Sequence, residues 1–212
     1  MIQFKNIDLS FNDKKIVHNL SFEINRGEKV VFSGKSGSGK SSIFNLLLGF
    51  AEPDRGEIIF KKEHVDAKSV WNVRKDVAYV DQDVSLGDGK VAELFNFVSG
   101  LKTNASLDFN EIIINELLVY FELGKDTLDK DTKELSGGER QRLSIIIAIL
   151  LKRDIFFLDE VTSSLDGHLK QKVVDYFVAE KNWTCLINSH DSIWLDSLGV
   201  KIFDLEEGRW KP

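Results

Sequence analysis

The residues Gly34-Lys35-Ser36-Gly37-Ser38-Gly39-Lys40-Ser41 have the composition and spacing of a loop that wraps phosphate. They fit the pattern G-x-x-x-x-G-K-[ST] in full, the P-loop motif. The glycines let the backbone approach an anion closely, and the amide hydrogens of the loop and of the helix that follows point inward at phosphate oxygens. In that motif Lys40 holds the β and γ phosphates and the Ser41 hydroxyl holds magnesium, with Ser42 beside it on the same turn. A second candidate is the acidic pair Asp159-Glu160, which ends the apolar run Ile155-Phe156-Phe157-Leu158. Carboxylates there lie at the carboxyl end of a sheet, the edge where ligands bind in open α/β folds. A third is Ser136-Gly137-Gly138-Glu139. Serine with glutamate three residues on is capping-box spacing, and a helix start bearing two glycines is built to receive an anion.

The elements around these residues can be read in outline. Val30-Val31-Phe32 is a strand that feeds the loop, and residues 41–50 form the helix that leaves it, ended near Gly49. Short alternating segments, Phe4 to Phe11, Ile16 to Ile24 and Lys29 to Phe32, broken at Asn12-Asp13 and Asn25-Arg26-Gly27, predict strands and hairpins at the N-terminus. Glu52-Pro53-Asp54-Arg55-Gly56 is a turn before a strand at 57–60, and 77–80 is the next strand. From about Ser85 to Lys133 the texture turns helical, notably over 91–98 and 110–123. Ser136 opens a further helix that continues to Leu151; after it come the strand 155–158, a helix over 167–180, the strand 184–188 and a hairpin over 200–210. No internal repeat or low-complexity linker interrupts this order.

Composition narrows the classes. A chain of 212 residues, 42% hydrophobic, can bury one substantial core. The net charge is −6 and no basic tract runs along the chain, so no nucleic-acid partner is expected. The longest apolar stretch, Ile145 to Leu151, is far below the ~20 residues that span a bilayer. The start, Met1-Ile2-Gln3-Phe4-Lys5, reads directly as a strand with no charged and apolar leader, so the expected location is the cytosol. The single cysteine, Cys185, lies in an apolar run and reads as a small hydrophobe.

The segment Leu135-Ser136-Gly137-Gly138-Glu139-Arg140-Gln141-Arg142, following the P-loop and preceding Asp159-Glu160, resembles the signature of the ATP-binding cassette (ABC) family, and the resemblance covers nearly the whole chain. It implies a P-loop NTPase fold of the α/β class: a core with a mixed β-sheet over residues 1–84 and 143–212, an N-terminal antiparallel β subdomain, and an inserted α-helical subdomain over about 85–142. It also implies roles residue by residue. Asp159 supports magnesium, and Glu160 polarises the water that attacks the γ-phosphate. Gln82, in Tyr79-Val80-Asp81-Gln82, matches the glutamine of the Q-loop, which touches magnesium or that water; Asp81 stands where proline is common. His190 matches the switch histidine that contacts the γ-phosphate. Ser163-Ser164-Leu165-Asp166 resembles the D-loop that bridges to the partner subunit, and Asp166 also suits a helix N-cap. Val161 stands where many members have proline. Phe11 is similar to the A-loop aromatic that stacks on adenine, where tyrosine is more usual; a phenylalanine there also suits a strand core, and both readings stay open.

The resemblance further implies ATP and Mg2+ as ligands, and a dimer in which Ser136, Gly137, Gly138 and Glu139 reach the nucleotide held by the opposite subunit. Two readings of the work done follow. In one, the chain is a compact ATP-hydrolysing subunit at the cytoplasmic face of a membrane, powering a separate permease whose coupling helix enters a groove near Gln82 and residues 84–88. In the other, it is a non-transport ABC ATPase acting on nucleic acid or ribosomes. Only about 50 residues separate Gln82 from Ser136, with no heptad pattern, and the acidic balance disfavours RNA, so transport is the expected role. The direction of transport and the substrate are not written in these residues.

Overall fold

Two β-sheets and the helices between them build the molecule, a computed structural model that describes residues 1–212 except Asp13, Ser36, Asp108 and Pro212. The first sheet is antiparallel, in the order β2-β1-β4-β5, with β1 Ile2–Phe11, β2 Lys14–Ile24, β4 Arg55–Phe60 and β5 Glu63–His64. The second has the order β10-β9-β3-β8-β7-β6: β3 Lys29–Ser33, β6 Val77–Val80, β7 Ile155–Asp159, β8 Thr184–Asn188, β9 Val200–Asp204 and β10 Arg209–Trp210. Strands β6, β7, β8, β3 and β9 pair in parallel, and β10 turns back on β9 as a hairpin. The antiparallel N-terminal sheet and the mixed second sheet match the fold class that the sequence implies.

Strands β3, β7 and β8 are near-continuous apolar runs because both faces of their sheet are covered. Successive side chains alternate between two cores. Val30, Phe32, Ile155, Phe157 and Leu186 face one core, shared with the antiparallel sheet and with α1 (Lys40–Leu47). Val31, Phe156, Leu158, Cys185 and Ile187 face the other, under α5 (Gly137–Leu150) and α6 (Gly167–Ala179). Aromatic stacking ties the layers: Phe44 on α1 stacks on Phe157 of β7 with ring centroids 5.1 Å apart.

The remaining helices are α2 (Val70–Asp76), α3 (Val91–Gly100), α4 (Glu111–Tyr120) and α7 (Ser192–Leu195). Helix α2 is absent from the sequence reading, since a seven-residue helix with only Val70 and Val73 buried carries little periodic signal. Helix α1 stops at Leu47, short of the expected residue 50, because Leu48 caps it and Gly49 takes φ +66°, where its amide bonds Leu46 O. Helix α5 runs without a break across residues 142 and 143. Among the described residues no helix is long and apolar enough to cross a membrane. Because β3, β8 and β7 are parallel neighbours, their carboxyl ends collect the P-loop, Asn188 and Asp159 at one edge.

Candidate active site

The phosphate loop leaves β3 at Ser33 and enters α1 at Lys40. Gly39, the residue before the helix, has φ +96°, and a β-carbon there would meet Val17 Cγ2 at 3.1 Å and Ile16 Cγ2 at 3.2 Å. Gly34 has φ +151°, and a β-carbon would lie 2.5 Å from Ser38 Oγ. Both positions therefore demand glycine. Lys40 is only 8% exposed, and its ammonium donates to Gly34 O at 2.8 Å and Lys35 O at 3.0 Å. Burial pushes its pKa below the ordinary lysine value, against the pull of Glu160, Asp159 and Glu206. Ser38 Oγ is buried and has no partner among the described residues, an acceptor and donor left over inside the loop. That orphan hydroxyl, a buried ammonium and a loop that excludes side chains fit a phosphate chain. Ser36 lies outside the described residues.

The acidic side of the site comes from β7 and the turn after it. Asp159 is buried, and burial raises its pKa above the usual carboxylate range, opposed chiefly by the Asn188 amide, whose Nδ2 donates to Asp159 Oδ1 at 3.2 Å. Glu160 holds a left-handed backbone at φ +47°, and its amide donates to Asn188 O at 2.9 Å. A non-glycine residue in that region is strained, which is common where a side chain must be aimed. Burial raises the Glu160 pKa as well, and the nearby His190 opposes the rise. His190 Nε2 lies 3.6 Å from Glu160 Oε1. The residue after it, Asp191, accepts from the Thr162 hydroxyl and from Lys170 Nζ at 2.6 Å, tying the segment that carries His190 to the turn after Glu160 and to α6.

A cavity of about 310 Å³ joins these groups. Gly37, Gly39, Lys40, Ser41 and Ser42 line one side of it, and Asp159, Glu160, His190 and Gln82 the other. Phe11 and Ile16 complete the lining, with Phe11 48% exposed, so Phe11 is no core residue. Among the described residues no cluster of three or more His, Cys, Asp or Glu could by itself hold a metal. A hydroxyl from Ser41 and a carboxylate from Asp159 suit magnesium, which keeps waters and takes phosphate oxygens rather than a full protein cage.

The structure does not bring the Ser136 segment to this cavity. Ser136 caps α5 as expected: its Oγ accepts from Glu139 N at 3.2 Å, and Glu139 Oε2 accepts from Ser136 N at 2.8 Å. Gly137 lines a different cavity, of about 370 Å³, with Gln82, Ser85 and Ser164. Gly138 packs so tightly that a β-carbon would meet Ser164 O at 3.0 Å. Asp166 is the N-cap of α6, accepting from Leu169 N at 2.9 Å, and also takes no part in the first cavity. Cys185 is buried and unbridged, its thiol pushed up to about 12 by burial, so it stays a neutral core atom.

Residues 17–163 match the family model of the ABC transporter. The chain belongs to the ABC transporter family. It is an ABC ATPase domain, and the relatives agree. The "Probable iron export ATP-binding protein FetA" of Escherichia coli K12 is 30% identical over 90% of this chain and 85% of its own length. A "Multidrug resistance ABC transporter ATP-binding and permease protein" of Lactococcus lactis is 33% identical over 95% of this chain but only 35% of its own length. The chain thus spans about a third of the length of several curated relatives that it matches. Among solved structures, a bacterial Atm1-family ABC exporter with ATP bound superposes with a TM-score of 0.84, at 25% identity over all of this chain and 38% of the exporter chain.

Asn188 and the Asp191–Thr162–Lys170 link are missing from the sequence reading of the ABC site. Asn188 left a faint signal, a polar residue closing an otherwise apolar strand beside the acidic pair; the Asp191 link left none, because its members are scattered along the chain.

Proposed function

We propose that the chain binds MgATP in the cavity between the P-loop and Asp159-Glu160, hydrolyses it as a two-chain assembly, and uses the resulting motion to drive a membrane permease. The observation that carries this reading is the convergence of Lys40, Asp159, Glu160 and His190 on one cavity while Ser136 stands outside it. Lys40 leaves its two loop carbonyls to hold the β and γ phosphates, and Phe11 offers a ring face to the base. Glu160, its carboxylate less acidic than usual, accepts the proton of the attacking water, and His190 steadies the γ-phosphate beside it. Bound magnesium would neutralise charge on the phosphate oxygens, with Ser41, Asp159 and Gln82 on its side of the site. Ser136, Gly137 and Gly138 then complete the site of a second copy of the chain, whose own signature completes this one.

The load attaches elsewhere. A larger groove of about 750 Å³, away from the phosphate loop, is lined by Tyr79, Val84, Leu86, Phe97, Ile147 and Leu151, with Asp81 and Asp83 among its charged groups. Its apolar walls and acidic side chains suit a permease helix that carries an apolar face and basic residues. Gln82 lines the nucleotide cavity between two residues of that groove, so it can pass movement between them. The helical region over about 85–142 is the part that would move. If each site needs two chains, ATPase activity per mole of chain rises with chain concentration before it levels off. Activity per mole that stays flat down to concentrations where the chain is monomeric would overturn the two-chain reading.

A further inference from the structure

Asn188 closes β8 and is 1% exposed, on the face of the sheet that α1 covers: Leu186, two residues earlier, packs in that core, as does Phe32, its register partner on β3. On the other side it pairs in register with Asp159 of β7. Its side-chain Nδ2 donates to Asp159 Oδ1 at 3.2 Å, and its backbone carbonyl accepts the Glu160 amide at 2.9 Å. One residue thus holds both members of the acidic pair. The price is visible, since Asn188 Oδ1 is buried with no partner among the described residues. An apolar residue of similar size would fill the place without leaving a polar atom unpaired, so packing does not explain the amide. The amide orientation is fixed by charge. Flipped, Oδ1 would face a carboxylate oxygen, and an ionised Asp159 needs a donor there.

We propose that Asn188 is a positioning residue for the metal side of the site: by pinning Oδ1 of Asp159, it turns the second carboxylate oxygen to the water shell of magnesium. Outer partners of this kind set the direction of a metal-side carboxylate, and losing one typically lowers metal affinity or activity by about 10- to 100-fold. This inference rests on the MgATP reading above.

The test is the affinity for ATP measured by calorimetry in EDTA and again in excess Mg2+, on the wild-type chain and on Asn188→Leu. The wild-type chain should bind ATP more tightly with Mg2+. Asn188→Leu should keep its affinity in EDTA within about twofold and lose about tenfold or more of the magnesium-dependent gain. Asn188→Ser, which retains a shorter donor, should recover part of that gain. Asn188→Ala carries the same expectation as the leucine variant and replaces it if the larger side chain prevents folding. A wild-type chain with no magnesium-dependent gain would sink the MgATP reading itself. A wild-type gain retained in folded Asn188→Leu, or equal losses in EDTA and Mg2+, would overturn the role of Asn188 alone.

Discussion

The imidazole of His190 stands 3.6 Å from the carboxylate of Glu160, and each residue follows the carboxyl end of a neighbouring parallel strand. Glu160 takes this place with a left-handed backbone at φ +47°, a strained conformation for a residue that carries a side chain. This pair lines one cavity with Lys40, so the residues proposed to accept the proton, contact the γ-phosphate and anchor the phosphates share one small volume.

Glu160→Gln keeps the shape of the side chain and removes the proton acceptor. It should bind MgATP close to the wild-type affinity and release phosphate ~10² to 10⁴ times more slowly. Phosphate release at saturating ATP checks this, and a wild-type rate would remove Glu160 from the chemistry.

The same substitution should stabilise the fold. Burial raises the Glu160 pKa in the folded chain above the ordinary glutamate value, so ionisation costs the folded state more than the unfolded one. Below the unfolded value both states are protonated and the cost vanishes; it grows as pH rises and is complete above the folded pKa. Glu160→Gln should therefore melt higher than wild type at neutral pH, by about 2–4 °C for each kcal/mol relieved, and the difference should close below about pH 4. A variant that melts lower at pH 7 would mean that the contact with His190 outweighs the cost of burial.

How much of this was legible in the residues depended on how local each signal was. The P-loop, the Ser136 capping box and the N-cap role of Asp166 are written in consecutive residues, and the structure places them as read. The strands β3, β7 and β8 were legible because strands buried on both faces read as near-continuous apolar runs. Asn188 was not, since its meaning lies in a register pairing with Asp159, 29 residues away. The role of Asp191 depends on Thr162 and Lys170 in the same way. For Phe11 the sequence offered a core strand or a stacking face, and its exposure removes the first reading.

That exposure separates binding from stability. Phe11→Ala should weaken ATP and GTP about equally, by ~1–3 kcal/mol, because stacking does not read the base edge. Its melting temperature should stay near wild type, as the ring buries little in the fold. Titration with both nucleotides checks this; a marked preference for ATP in the wild-type chain would point to a group that reads the adenine edge.

The central claim is that each site is completed by Ser136 of a second chain. Sedimentation of Glu160→Gln with ATP or ADP, alone and carrying Ser136→Arg as well, tests it most directly. ATP should draw Glu160→Gln into a dimer, and ADP, which lacks the γ-phosphate, should not. Adding Ser136→Arg, which puts bulk and charge where a phosphate must fit, should leave a monomer that still binds ATP through Gly34 to Ser41. An ATP-dependent dimer that survives Ser136→Arg would contradict the account.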